Sequence, residues 1–575
     1  MSNSIEDLET ADVIFQIGGN AHAAHPIIGT FLEGAAKKGT KYIMADPRKV
    51  GSAKFADIHM QQNLGTDIAL VNGMMNHIIT NGWQNKEFLE KHTKDFDALW
   101  DVVKEYTPER ASEITGVSAE KIKEAAELYA KAPAAAITWG MGIAQRANAV
   151  RTVWTLANLA LLCGQIGRPG TGLNPLRGQN NVQGSGDMAL NPGWLPGYQM
   201  FNEDYVEGLG GKRETATANR EKFEKAWGVS LPSARGITQM EMSTAAGEGK
   251  VKCMYLSGSD PIAMAPNLNK SIVDYCNLEL LVVQDLFMTE SAKLADVILP
   301  ASSNLEMWGT VTNTERRVQL VRPVIDPVGD SRPDYDITLD LIRRFGEEDY
   351  LTGENNKETA MNIMKEISLL TPQYAGVTYD RIERMDTRSQ GVRWPIPKDA
   401  PEDSIGTRYL YSTGFAAGKV ALKGQHHTTA QAEPPTEEYP VTLVTIRDLY
   451  HYDNGSMTTR SNTLMKLMPH GIFEINEETA KLYGLSDGDK AKVVSIRGEA
   501  KAIIRITDRI PTGQVYSDFH HADTLINAVT QDALDPLAKE PELKACAVKI
   551  VKIDGDSSSA KLAKDEVKEV ELATV

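Results

Sequence analysis

Apolar and polar positions alternate along this chain in blocks that predict strand, glycine turn, helix and strand again. Val13–Ile17 is a short β-type run followed by Gly18-Gly19-Asn20. A helical stretch then extends from about His25 to Lys38, Gly39 stops it, and a second strand, Lys41–Ala45, ends at Asp46. The same order returns at Cys253–Leu256, Ser257-Gly258-Ser259-Asp260, a connecting segment and the strand Leu278–Val283, which closes on Gln284-Asp285. Gly19 to Asp46 is 27 positions and Asp46 to Asp57 is 11, while Gly258 to Asp285 is 27 and Asp285 to Asp296 is 11. Phe55-Ala56-Asp57-Ile58 also echoes Leu294-Ala295-Asp296-Val297. Three landmarks at matched spacing predict a duplicated α/β unit.

In open α/β sheets a ligand sits at the carboxyl ends of strands, where glycine turns let backbone N–H groups reach phosphates and a following acid binds ribose or base. Two similar nucleotide cradles are therefore expected, against the alternative of a doubly wound fold with unused crevices. Neither turn carries G-x-G-x-x-G, so the ordinary NAD fingerprint is missing. Past about residue 435 the pattern changes to short β-rich segments at Val441–Ile446, Ala491–Ile496, Ala500–Thr507, Gln514–Tyr516 and Ala547–Ile553. Turn signals at Ser486-Asp487-Gly488-Asp489 and Arg497-Gly498-Glu499 separate them, as in a small β-barrel. The expected class is α/β, with two related doubly wound dinucleotide-binding-like units plus a carboxy-terminal β-barrel domain. The expected division is 1–179, 180–350, an irregular connection over 351–434, a barrel over 435–555 and a tail over 556–575.

Composition narrows the function. The 575 residues exceed what one core holds, hydrophobic residues make up 42% and charged residues 24%, and no apolar run reaches the roughly 20 residues that cross a bilayer. A net charge of −16 argues against a nucleic-acid partner, which needs a concentrated basic face. The four cysteines, Cys163, Cys253, Cys276 and Cys546, form no C-x-x-C pair and read as buried thiols rather than as a disulfide framework or a complete cluster site. Met1-Ser2-Asn3-Ser4 has neither the basic nor the apolar region of a signal peptide.

The most unusual stretch is Arg177-Gly178-Gln179-Asn180-Asn181-Val182-Gln183-Gly184, an arginine among amides and glycines with little that is apolar to bury. Arginine supplies a permanent forked cation suited to a carboxylate, and Asn/Gln amides both donate and accept toward a heterocycle. The plainer alternative is a glycine-rich turn with a solvated arginine. That block, together with Trp139-Gly140-Met141-Gly142, Gly167-Arg168-Pro169-Gly170-Thr171-Gly172, Ala295-Asp296-Val297-Ile298-Leu299-Pro300 and Thr312-Asn313-Thr314-Glu315-Arg316-Arg317-Val318-Gln319, resembles the formate dehydrogenase branch of the molybdopterin oxidoreductase superfamily. The likeness runs from about residue 3 to about 553.

The resemblance implies two molybdopterin guanine dinucleotides with molybdenum or tungsten. It places one on Gly18, Asn20, Asp46, Arg48, Gly65 and Asp67, with Met141, Gly142 and Gln179 also at the cofactor, and the other on Gly258, Asp260, Gln284, Asp285 and Ser302. Arg177 would orient formate beside the metal, and Arg447, Ser456, Met457, Thr458, Asn527 and Lys544 would belong to a pterin-capping barrel. Arg447 and Lys544 read equally well as surface cations. The implied reaction is oxidation of formate to carbon dioxide or the reverse, with electrons passed to iron–sulfur or flavin subunits. Neither nucleic acid nor membrane contact is implied. The location would be cytoplasmic, with the periplasm open as an alternative.

One departure is large. The family carries an amino-terminal module with a 4Fe-4S cluster, then a Cys-His or selenocysteine-His pair at the metal, and neither occurs here; no metal ligand is assigned to this chain. Ser2-Asn3-Ser4-Ile5 matches the family just after that pair, so the expectation is a catalytic subunit whose start lies downstream of the true one, inactive alone, with an in-frame UGA and a His codon upstream. His22, His25 and His59 read as loop or capping histidines. The competing readings are a non-catalytic pterin-fold scaffold and a nitrate- or arsenate-type oxidoreductase, and the Arg177 block favours the formate reading over both.

Overall fold

The computed structural model describes residues 1–208, 211–347, 351–386, 391–428 and 431–553. Two compact units emerge: a larger one of Met1–Leu176, Asp260–Val273 and the described part of Tyr409–Val575, and a smaller one of Arg177–Ser259 and Asp274–Arg408. The tail expected over 556–575 lies outside the described residues.

The larger unit opens on a parallel sheet of five strands: β1 (Val13–Ile17), β2 (Lys41–Ala45), β3 (Ile58–Met60), β4 (Ala135–Trp139) and β5 (Gly172–Pro175), in the order β3-β2-β1-β4-β5. Every residue of β1 and β4 is buried, as is β2 after Lys41. Such unbroken apolar runs belong to parallel sheets covered on both faces. Period-two alternation sorts them: Phe15, Ile17 and Ile43 join one core and Ile14, Tyr42 and Met44 another. Helix α1 (Pro26–Lys37) contributes Ile28 and Leu32 to the second core. Helices α2 (Asp67–Thr80) and α3 (Ala149–Leu162) contribute Leu70, Met74, Leu156 and Leu159 to the first. Pro26 stands in the first turn of α1, where a missing N–H removes no helical bond.

In the smaller unit β6 (Cys253–Ser257), β7 (Leu280–Asp285) and β8 (Val297–Pro300) form a parallel sheet in the order β8-β7-β6. It repeats the first in detail. Gly18 N–H donates to the Ala45 carbonyl at 2.9 Å, and Gly258 N–H to that of Gln284 at 2.9 Å. The Asp57 carboxylate accepts from Tyr42 N–H at 2.8 Å, and that of Asp296 from Leu281 N–H at 2.7 Å. One landmark moves by a residue. The counterpart of Gly258 (φ +59°) is Gly18 (φ +55°), not Gly19, because both occupy the left-handed turn that leaves the strand, a conformation glycine adopts without penalty.

The segment 351–434, expected to be irregular, is partly ordered core. After α4 (Val182–Asp187) and the antiparallel pair β9 (Gly309–Thr312) and β10 (Arg317–Val321), helices α5 (Asn356–Leu370) and α6 (Tyr379–Asp386) and strand β11 (Val392–Arg393) pack Met364, Ile382 and Val392 around Val318. Their apolar positions are spread among charges and prolines, which hid the helical periodicity.

The closed barrel lies in the larger unit: β12 (Val441–Ile446), β13 (Ile472–Ile475), β14 (Lys490–Val494), β15 (Glu499–Ile506), β16 (Gln514–Asp518) and β17 (Cys546–Lys552), ordered β12-β16-β13-β15-β14-β17. Five were expected within a residue or two. β13 was not, being four residues long. Cys163 and Cys546 are buried as expected, but Cys253 and Cys276 are exposed. Among the described residues no helix is long and apolar enough to cross a membrane.

Candidate functional site

The carboxyl ends of β1, β2 and β4 converge on one polar cradle in the larger unit. The turns after β1 and β4 touch through backbone: Gly142 N–H donates to the Gly18 carbonyl at 3.0 Å. A Cβ on Gly142 would stand 2.7 Å from that oxygen, and one on Gly18 2.9 Å from Ile143 Cγ1. Met141, beside this crossing, is 44% exposed. Asp46 follows β2, and its Oδ1 accepts from Arg48 N–H at 2.9 Å. Although solvent reaches part of the residue, desolvation pushes its carboxyl up to about 7 against the opposing pull of Arg48 and Lys544. The guanidinium of Arg48 is tied to Glu474 of β13 at 2.6 Å.

Asp67 begins α2 just after Gly65, whose φ of +78° turns the chain into the helix. Its carboxyl accepts from Gln62 at 3.0 Å and is also raised by burial. Lys544 is no surface cation. Its Nζ donates to the Thr445 carbonyl at 2.6 Å and Oγ1 at 3.2 Å, and burial lowers it to about 8. The reading of the sequence missed Arg146, paired with Glu542 at 3.0 Å in the same buried region. Arg146 stands four residues beyond Gly142 of the Trp139–Gly142 block, which was the available signal.

A second group in this unit gathers on the loop after β12. Asp260 accepts from Asn454 Nδ2 at 3.0 Å, Ser456 N–H donates to Asn454 Oδ1 at 3.1 Å, and the Thr458 hydroxyl accepts from Tyr452 N–H at 3.1 Å. Asn527 Nδ2 donates to the carbonyls of Ala263 and Met264 at 3.1 and 3.0 Å. The Arg447 guanidinium lies 5.2 Å from the Tyr452 ring centre, and Met457 is 44% exposed. Beneath the loop, His451, His520 and His521 are buried, and His521 Nδ1 bonds Asp518 at 2.8 Å. These histidines also escaped the sequence reading. His22, by contrast, rests on Phe55 with ring centres 5.6 Å apart, a packing role.

The smaller unit holds Gly258, Gln284, Asp285 and Ser302 at the carboxyl ends of β6, β7 and β8, together with the Arg177 loop. Gln284 accepts from the Tyr255 hydroxyl and donates to Asp334. Asp285 Oδ1 accepts from Leu286 N–H at 2.7 Å, and Ser302 N–H donates to the Arg332 carbonyl at 2.9 Å. Arg177 is exposed, its backbone N–H donating to Thr314 Oγ1 at 3.1 Å, and Gln179 is half-buried.

Residues 1–344 match the family model described as Molybdopterin oxidoreductase, and residues 441–547 that described as Molydopterin dinucleotide binding domain. The chain belongs to the molybdopterin oxidoreductase family. The F420-dependent formate dehydrogenase subunit alpha of Methanocaldococcus jannaschii is 40% identical over 557 residues, which are 96% of this chain and 78% of that one. Formate dehydrogenase H of Escherichia coli is 36% identical over 569 residues, 98% and 76% of the two chains. The structure of acetylene hydratase from Pelobacter acetylenicus shares the fold, with a TM-score of 0.72 and 22% identity over 96% of this chain and 79% of that one.

The residues present fit the dinucleotide that defines this family of oxidoreductases. Buried Asn20 Oδ1, Arg48 Nε, Gln62 Oε1, Ser302 Oγ, Arg447 Nε and Asp448 Oδ2 have no hydrogen-bond partner. Buried polar atoms ordinarily find partners; Asn20, Arg48, Ser302 and Arg447 are positions where the sequence places cofactor, Gln62 donates to Asp67 of that set, and Asp448 follows Arg447 in the chain. Carboxylate and amide acceptors suit the N–H edge of a base or ribose hydroxyls, while arginine and turn N–H groups suit phosphate. Among the described residues no group of three or more His, Cys, Asp or Glu could hold a metal ion.

Proposed function

We propose that this chain belongs to a catalytic subunit that oxidises formate to carbon dioxide, or runs the reverse reduction, with two molybdopterin guanine dinucleotides that carry molybdenum or tungsten. The observation that carries the reading is Arg177, an exposed guanidinium on a glycine–amide loop, in a chain 36–40% identical to formate dehydrogenase alpha subunits and formate dehydrogenase H. One dinucleotide would be held by Gly18, Asn20, Asp46, Arg48, Gly65 and Asp67. The other would lie on Gly258, Asp260, Gln284, Asp285 and Ser302, and the barrel residues Arg447, Ser456 and Lys544 would also contact cofactor.

When bound, the metal–pterin group supplies a two-electron redox couple. Formate loses one proton and two electrons as its C–H bond breaks, and carbon dioxide leaves. Arg177 pairs its two N–H edges with the two carboxylate oxygens, which orients the C–H bond and neutralises charge during binding. As carbon dioxide forms, that charge disappears and the grip relaxes, so the pairing serves binding and orientation and lets product go. The electrons continue to iron–sulfur or flavin partner subunits.

Arg177→Lys in the cofactor-loaded enzyme tests this, because a point ammonium cannot reproduce a forked pair. The KM for formate should rise at least about 10-fold, worth about 1.4 kcal/mol, with the melting temperature unchanged. Wild-type formate kinetics would remove Arg177 from the site.

A further inference from the structure

The Arg177 loop runs directly into the short helix α4, which ends on a buried carboxylate. Asp187 is fully buried, and four neutral groups donate to it. Its Oδ1 accepts from the Tyr198 hydroxyl at 2.7 Å and from Gln183 Nε2 at 2.8 Å, and its Oδ2 from the Tyr374 hydroxyl at 2.5 Å and Trp394 Nε1 at 2.6 Å. Its backbone carbonyl accepts from Gly197 N–H at 2.6 Å. Burying a charge is costly, and a set of donors converging from four separate segments is a structure built to keep this one.

Those segments tie Asp187 back to the loop. Gln183 is one helical turn earlier on α4, and Asn181, at the amino end of α4 in the left-handed conformation (φ +58°), accepts from Thr312 N–H at 2.9 Å. A Cβ at Gly184 would stand 2.1 Å from Asn181 Oδ1, so the loop folds onto its own helix with no spare room. Arg177 N–H is fixed to Thr314, two residues beyond Thr312. Tyr198 joins the helix at two residues: its hydroxyl donates to Asp187 Oδ1 and accepts from Gln183 Nε2 at 2.9 Å.

We propose that Asp187 and Tyr198 are positioning residues for Arg177, holding its loop and guanidinium in the orientation that accepts a one-carbon carboxylate. The assignment rests on the formate reading above. Asp187 sets the end of α4, Asn181 and Thr314 set the loop, and Tyr198 ties Asp187 to Gln183. Because substrate and transition state both use the Arg177 pairing, loosening it removes uniform binding and raises KM while kcat changes little.

The test uses the holoenzyme with Tyr198→Phe, Asp187→Asn, Arg177→Ala and the double variant Arg177→Ala/Asp187→Asn. Tyr198→Phe removes one hydroxyl and keeps the ring, so it remains informative should Asp187→Asn fold poorly. Each single variant at Tyr198 or Asp187 should raise the formate KM about 10-fold with kcat within about 2-fold of wild type. In the Arg177→Ala background Asp187→Asn should add no further rise, which a merely structural role would produce. Apart from activity, amide hydrogen exchange over 178–183 should quicken about 10-fold in Asp187→Asn without cofactor or substrate, since that carboxylate pins the helix. If Arg177→Ala raises KM while the other two leave both KM and exchange at wild-type values, the positioning assignment is overturned and the formate reading stands. If Arg177→Ala itself leaves KM unchanged, the formate reading falls and the assignment falls with it.

Discussion

The two parallel sheets share one hydrogen-bonding plan and differ in what covers them. Both send a left-handed glycine out of the first strand and clasp the second with an aspartate from the third, at 2.8 Å through Asp57 and 2.7 Å through Asp296. Phe15, Ile43 and Ile58 lie side by side across the first sheet, with 0%, 0% and 4% of their surface exposed. Their counterparts across the second are Tyr255, Val282 and Val297, of which Tyr255 is 43% and Val297 42% exposed. Local backbone chemistry is thus enough to set the turn and the clasp, and burial is a separate matter. Glycine and aspartate specify the cradle, while the side chains between them follow whatever packs against the sheet.

The sharpest way to break the comparison is a matched pair of truncations. Phe15→Ala should cost roughly 3–5 kcal/mol, because a fully buried ring leaves a cavity, whereas Tyr255→Ala should cost about 1 kcal/mol or less. Native-state hydrogen exchange on the strand amides reads each sheet separately. Equal losses would show that the second sheet is as well covered as the first.

Next in size is the glycine pair. Alanine at Gly18 meets a left-handed φ, Ile143 Cγ1 at 2.9 Å and the backbone of Gly142 at 3.1 Å, while alanine at Gly258 meets only the φ, with nothing within 4 Å. Gly18→Ala should destabilise by about 2–4 kcal/mol and Gly258→Ala by about 1 kcal/mol, measured in the same exchange experiment.

The smallest effect is electrostatic. The Asp46 carboxyl, at about 7 in the folded chain, lies above the ordinary aspartate value near 3.9, so the folded state binds that proton more tightly than the unfolded one. Without cofactor, the contribution of this group to stability should be greatest at acid pH and decline as pH rises through the interval from about 4 to 7. Asp46→Asn should flatten that slope and leave the chain about 2 kcal/mol more stable at pH 8, half of the full shift because solvent reaches part of the residue. A urea titration at pH 4 and pH 8 checks the sign. A wild-type slope in Asp46→Asn would assign the pH dependence elsewhere.

Much of this was legible in the residues themselves. Val13–Ile17 and Lys41–Ala45 were readable as strands to the residue, because an apolar run between a glycine turn and an acid has few other uses in an α/β chain. The Arg177 block stood out for what it lacked, an apolar face, and the barrel was legible through its turns at Ser486–Asp489 and Arg497–Glu499. These are local signals: a glycine that must take positive φ, an acid that must cap a strand, a period of two.

What only the tertiary structure decided depends on partners distant in the chain. Lys544 and a surface lysine look alike in sequence, and it is Thr445, 99 residues earlier, that holds its Nζ in a buried site. Asp187 attracted no notice because its donors come from Gln183, Tyr198, Tyr374 and Trp394, spread over 211 positions. Helices α5 and α6 were masked by charge, and their cores formed only against β10. Periodicity and turn chemistry act over a few residues and are written along the chain. Desolvation and hydrogen-bond satisfaction act through space, so which polar groups become buried, and therefore functional, is settled only when distant segments meet.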